Sequence, residues 1–121
     1  MQRNADAKEL WGDNSLPDIS AVFRSCLGYA NSPAWVMIHR SIEDTFGSFN
    51  GLKSIELGCG EAKVSLLFSL QGTKTTLVDY NHEQLKSAKY IFEKFNSKPA
   101  IVEKDLFRLP KSFWGQYDVS M

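Results

Sequence analysis

Ser54-Ile55-Glu56-Leu57-Gly58-Cys59-Gly60-Glu61-Ala62 is the stretch whose reading decides the fold. Lys53 to Leu57 reads as a short buried strand, Gly58-Cys59-Gly60 as a tight turn, and Ala62 to Gln71 as a helix. A strand that runs through glycines into a helix presents bare backbone N–H groups and the positive end of the helix to whatever binds there. Glycine suits the turn because it accepts positive φ and lets a ligand approach the backbone.

Downstream, short strands alternate with helices. The first of these helices carries Val64, Leu66, Leu67, Phe68 and Leu70, apolar on most sides, and Gly72 closes it. A second strand spans Thr75 to Val78 and ends at Asp79. Asn81 can cap the next helix, with Gln84 three residues later as in a capping box. Leu85, Ala88, Phe92 and Phe95 form its inner stripe, and Pro99 is the expected breaker. A third strand, Ala100 to Lys104, ends at Asp105, and a fourth begins at Tyr117-Asp118-Val119. Strand, helix, strand, helix, strand is the pattern of parallel βαβ units with right-handed crossovers.

Upstream, two helices are predicted. Ser15 and Pro17 start one whose apolar positions are Ile19, Val22, Phe23, Cys26 and Leu27, with Gly28 as its end. Ser32-Pro33 starts the other, with a packing stripe at Trp35, Ile38, Ile42 and Phe46 and a stop at Gly47. Ser48 to Leu52 reads as a loop. His39 has no Cys, Asp or Glu at ligand spacing, so no metal site is assigned. The first 14 residues are polar apart from Leu10 and Trp11, which suggests a loose arm or one short helix. The chain thus divides into a helical arm or cap, 1–50, and an α/β unit, 51–121.

The 121 residues make about one domain. Fourteen basic and fourteen acidic residues cancel, so nothing implies an electrostatic grip on nucleic acid or an acidic membrane. Cys26 and Cys59 make no disulfide framework. No signal region opens the sequence and no apolar run approaches a membrane span. The expected compartment is therefore the cytoplasm, with both thiols reduced.

In open parallel sheets, ligands bind at the carboxyl ends of the strands. Glu56 to Gly60, Asp79 and Asp105 fall at three successive ends. Asp79 follows Gly60 by 79 − 60 = 19 residues, the offset of an acidic group that accepts from a ribose diol. Each feature also has a plain reading: a Gly-x-Gly turn, a cap at Asp79, a solvated loop residue at Asp105. Their combination favours a nucleoside site.

Ile55-Glu56-Leu57-Gly58-Cys59-Gly60 resembles the first motif of class I S-adenosylmethionine-dependent methyltransferases. Leu77-Val78-Asp79-Tyr80-Asn81 resembles the family's second acidic motif, and Lys104-Asp105-Leu106-Phe107-Arg108-Leu109-Pro110 its loop after the third strand. The resemblance covers 53–121 in order. It implies a Rossmann-like parallel sheet with helices on both faces and an N-terminal helical segment. It also implies S-adenosyl-L-methionine as cofactor, with the Gly58, Cys59 and Gly60 turn on its methionine portion and Glu56 orienting that portion. Asp79 would bind the ribose, Tyr80 would pack on the adenine face, and Asp105 and the Leu106 backbone would contact the adenine. The reaction would be in-line methyl transfer to an acceptor that the sequence does not name, and no catalytic residue is assigned.

Two departures stand out. Ala62 replaces a glycine of the fuller pattern, and the chain ends within the fourth of about seven strands that the resemblance implies. A truncated enzyme that keeps the cofactor half is the expectation, with an open sheet edge that invites self-association. The alternatives are a non-catalytic cofactor-binding or interaction module, an NAD(P)-dependent oxidoreductase and an aminopropyltransferase. Lys63 disfavours the oxidoreductase, whose fingerprint needs glycine at that position for close helix–strand packing.

Overall fold

The computed structural model describes residues 16–60 and 62–121. The arm expected around Leu10 and Trp11, and the cap expected at Ser15, lie outside the described residues. Helix α1 spans Ile19–Ala30, and its cap is Asp18. The Asp18 carboxylate accepts the N–H groups of Ser20 and Ala21 at 3.0 and 3.2 Å. Gly28 does not end this helix, which runs on to Ala30. An interior glycine costs about 1 kcal/mol relative to alanine, and that alone does not break a helix.

Helix α2 spans Pro33–Phe46 with Ser32 at its N-cap, whose hydroxyl accepts from Trp35 N–H at 3.3 Å. Gly47 ends it at φ 85°. Its buried positions are Trp35 and Ile42, two of the four expected; Phe46 is left 42% exposed. The connection to the sheet holds Phe49, which is only 3% exposed. The Phe49 ring lies 5.9 Å from Trp35 and 5.1 Å from Phe68, in an edge-on arrangement with the latter.

Strand β1 is Lys53–Leu57, α3 is Lys63–Leu70, β2 is Lys74–Asp79, α4 is His82–Lys94 and β3 is Ala100–Glu103. Two 3-10 turns, Leu106–Arg108 and Lys111–Phe113, lead to β4, Val119–Ser120. Asn81 caps α4, accepting from Glu83 and Gln84 N–H at 3.0 and 3.3 Å. That helix ends at Lys94, before Pro99, where Asn96 turns left-handed at φ 59°.

The sheet is parallel throughout, in the order β3-β2-β1-β4. Strand order reverses at β1, the place where open α/β sheets bind ligands. Both helical crossovers step the same way across the sheet, so their right-handedness puts α3 and α4 on one face. Cys26 of α1, Trp35 and Ile42 of α2, Leu66 and Phe68 of α3, and Leu85 and Phe92 of α4 join one buried cluster with Leu77 of β2. The described helices therefore share a single core, to which α1 gives Cys26 as its one buried residue; Phe23 and Leu27 of its expected apolar positions are left 49% and 47% exposed.

Candidate functional site

Parity along the strands decides which groups meet at the site. Ser54 donates to Thr75 Oγ1 at 3.4 Å, so these residues share a face, and so do Glu56, Leu77 and Asp79 at steps of two. Glu56 and Asp79 thus emerge on the helix side of neighbouring strand tips. The turn lies between them. The Cys59 thiol donates to Asp79 Oδ2 at 3.9 Å, and Asn81 N–H donates to Asp79 Oδ1 at 2.9 Å. Lys104 N–H donates to the Asp79 carbonyl at 3.0 Å, which seats the third tip beside the second. A Cβ at Gly58 would stand 3.8 Å from Leu106 Cδ1, so the loop after β3 reaches the turn.

The turn uses the left-handed freedom of glycine. Gly58 and Gly60 sit at φ 68° and 51°. Ala62 shares that left-handed region, at φ 55°, and is 2% exposed. The amide groups of the turn are not all bare. Gly58 and Cys59 N–H groups both point to the Val78 carbonyl, at 2.8 and 3.3 Å. Among the described residues, Gly60 N–H and the first-turn N–H groups of α3 at Lys63 and Val64 have no backbone acceptor, as the helix position of the last two requires.

Helix α3 has no side-chain cap of its own, because Ala62 stands at the N-cap. Glu56 supplies one from β1. The Ser65 hydroxyl donates to Glu56 Oε1, and Ser65 N–H also stabilises that carboxylate. Burial pushes the Glu56 carboxyl up from its ordinary value, and the Ser65 hydrogen bonds partly oppose this. The Cys59 thiol is pushed up to about 12, first by burial and then by the Asp79 and Glu56 carboxylates beside it. It is a buried neutral packing group, not a nucleophile.

The remaining expected residues lie at the rim. Tyr80 is 75% exposed, a free aromatic face at the tip of β2. Asp105 caps the first 3-10 turn, its Oδ1 accepting from Phe107 N–H at 3.0 Å. Asp79 is 7% exposed, deeper than a plain cap, and each of its oxygens keeps a second lone pair for a hydroxyl donor. Three groups were not anticipated from the sequence. Ser65 is one. The others are His82 and Glu103, whose Nδ1 and Oε1 meet at 2.6 Å beside Asp79. The strand register that places Glu103 opposite Asp79 would have found that pair; nothing local marks Ser65.

Of two cavities of about 540 and 560 Å³, one lies between α1, α3 and α4 and reaches Lys63 at the start of α3, and the other lies at the amino ends of the strands. Neither is lined by the turn, Asp79 or Asp105. Among the described residues no cluster of three or more His, Cys, Asp or Glu could hold a metal ion. None of the described helices is long and apolar enough to cross a membrane.

A family model described as tellurite resistance protein TehB matches residues 29–118. No curated protein matches the chain significantly. Among solved structures, magnesium protoporphyrin IX methyltransferase (ChlM) from Synechocystis PCC 6803 with bound SAM is similar over 93% of this chain, with a TM-score of 0.60 and 17% identity. An S-adenosylmethionine-dependent methyltransferase from Clostridium acetobutylicum is similar over 83%, at 0.59 and 20%. One described as putative, from Methanococcus maripaludis, is similar over 80%, at 0.52 and 18%. The chain spans 51%, 40% and 47% of their respective lengths. At these identities the likeness is one of fold: the Rossmann-like sheet of these methyltransferases.

Proposed function

The chain belongs to the TehB family, and from that premise we propose that it binds S-adenosyl-L-methionine at the tips of β1, β2 and β3 and serves methyl transfer from the sulfonium to an acceptor. The observation that carries the reading is the meeting of the three tips: Cys59 against Asp79 at 3.9 Å, and Leu106 against the turn at Gly58. The structures of similar fold, one with bound SAM and one an S-adenosylmethionine-dependent methyltransferase, support it.

In this reading the methionine carboxylate takes the unspent N–H groups of Gly60, Lys63 and Val64, where the α3 dipole favours an anion. The Glu56 carboxylate orients the amino group. Asp79 accepts from the ribose hydroxyls, exposed Tyr80 covers the adenine, and Asp105 and Leu106 border its edge. When bound, the cofactor supplies the activated methyl group; the chain's part is to position it and to keep water away. Helices α1 and α2 act as the cover and 51–121 as the cofactor-binding half, in the cytoplasm. β4 pairs with β1 on one side and, among the described residues, with no strand on the other, and that edge takes part in self-association.

Calorimetry with S-adenosylmethionine and S-adenosylhomocysteine tests it. Micromolar binding that falls at least tenfold in Asp79→Ala is the expected result. A preference for NAD would instead make the chain an oxidoreductase domain. Binding of neither would leave an interaction module.

A further inference from the structure

We propose that Ser65 is a positioning residue for cofactor binding: from α3 its hydroxyl holds the Glu56 carboxylate of β1 in place, although Ser65 itself touches no cofactor. The inference rests on the cofactor site proposed above and adds the device that sets Glu56 within it.

The geometry is specific. Ser65 is fully buried, at 0% exposure, so its hydroxyl has no water to turn to. Its hydroxyl donates to Glu56 Oε1, nine residues back along the chain and on another element. A buried hydroxyl bonded to a half-buried carboxylate does two things. It removes rotamer freedom from a long side chain, and it favours the charged form of its partner. Helix α3 needs this, because Ala62 cannot cap it. One contact therefore joins the strand that leads into the turn to the helix that leaves it.

The surroundings make the hydroxyl matter. On the turn, the Cys59 thiol lies close enough to feel the Glu56 charge, and beyond it stands the Asp79 carboxylate at the tip of β2. From α3 Glu56 receives the Ser65 hydroxyl and N–H. The side chains of β4, Val119 and Ser120, are not ionisable. Burial already disfavours the Glu56 carboxylate, and Ser65 is the group that counters it. Without the hydroxyl, the carboxyl ionises at higher pH. An incoming ammonium group needs the carboxylate, so affinity should switch on at higher pH, and at neutrality a Glu56 side chain no longer held by the hydroxyl should bind it less well. A hydrogen bond to a charged group is of a strength that makes the loss about tenfold.

The test compares wild type with Ser65→Ala, Ser65→Cys and Ser65→Thr. The cysteine variant keeps the volume but donates weakly, and the threonine variant keeps the hydroxyl. S-adenosylhomocysteine binding is measured by calorimetry from pH 5 to pH 9, and the Glu56 carboxyl is followed by carbon NMR in the apo protein. Ser65→Ala and Ser65→Cys should bind about tenfold more weakly at pH 7, with the affinity midpoint and the Glu56 titration both moved upward. Ser65→Thr should lie near wild type. Folded variants with unchanged midpoint and affinity overturn the inference and leave the cofactor reading standing. Wild type that binds no S-adenosylhomocysteine at any pH overturns both, whatever the Glu56 titration shows.

Discussion

Ala62 is the residue at which the sequence departs from the glycine of its motif, and the backbone shows what the departure costs. Its φ of 55° is left-handed, where a Cβ costs about 1–2 kcal/mol. Against that stand the burial of its methyl group, 2% exposed, at about 0.8 kcal/mol, and the lower chain entropy of alanine when unfolded, at about 0.4–1 kcal/mol. The terms nearly cancel, which is why alanine is tolerated. Ala62→Gly should therefore shift stability by less than about 0.5 kcal/mol in urea unfolding. Ala62→Leu must fit a larger side chain into a closed core at a left-handed residue, and should cost about 3 kcal/mol. A leucine variant as stable as wild type would show that the turn is not held as described. Cys59, three residues before Ala62 and on the other side of Gly60, was read from the sequence only as a small side chain suited to a turn. Its contact with Asp79 depends on the β1–β2 register, which no local pattern carries.

At the scale of the element, the starts of α2 and α4 and the three strands before the last were legible, because Ser32-Pro33, Asn81 and short apolar runs between breakers act locally. The misplaced ends have a common cause. Gly28 and Pro99 were weighed as local stops, but Asp18 and Asn31 bound α1, and α4 stops at Phe95 and left-handed Asn96. Phe49 was hidden for the same reason: a single aromatic in a loop has no periodicity, and only Trp35 and Phe68 make it core. The loop that holds Phe49 also meets the α3–β2 turn. Gly51 N–H donates to the Gly72 carbonyl at 3.0 Å, and Gly72 has φ 105°. A Cβ there would lie 2.9 Å from Asn50 Oδ1 and 3.2 Å from its Cα. The side-chain oxygen can swing away, but the backbone atom cannot. Gly72→Ala should cost about 2–3 kcal/mol. Gly115, at φ 75° with nothing within 4 Å of its Cβ position, is the control and should cost about 1 kcal/mol as alanine. Equal costs for the two in denaturant titration would mean that the contact with Asn50 is not tight.

At the scale of the molecule, the described helices lie on one face of four parallel strands, and the chain spans about half the length of the solved structures it is similar to. The resemblance led to an expectation of helices on both faces; in the described residues β3 returns to β4 through two 3-10 turns instead. Less surface is buried by such a unit than by a full sheet with two helical layers, so its folding free energy should sit low in the usual range of about 5–15 kcal/mol. A ligand that binds only the folded form then has a large relative effect. At a concentration of a hundred times its dissociation constant it adds about 2.7 kcal/mol. For a chain of this size each kcal/mol is worth roughly 4 °C. Saturating S-adenosylhomocysteine should therefore raise the thermal midpoint by about 10 °C. Asp79→Ala should lose most of that shift while keeping a cooperative transition. The site is built from tips held by the same β1–β2 register that closes the core, so binding and folding draw on shared contacts. A midpoint indifferent to S-adenosylhomocysteine but raised by NAD would move the chain to the oxidoreductases. A midpoint indifferent to both, in a protein that still unfolds cooperatively, would leave the three tips as packing alone.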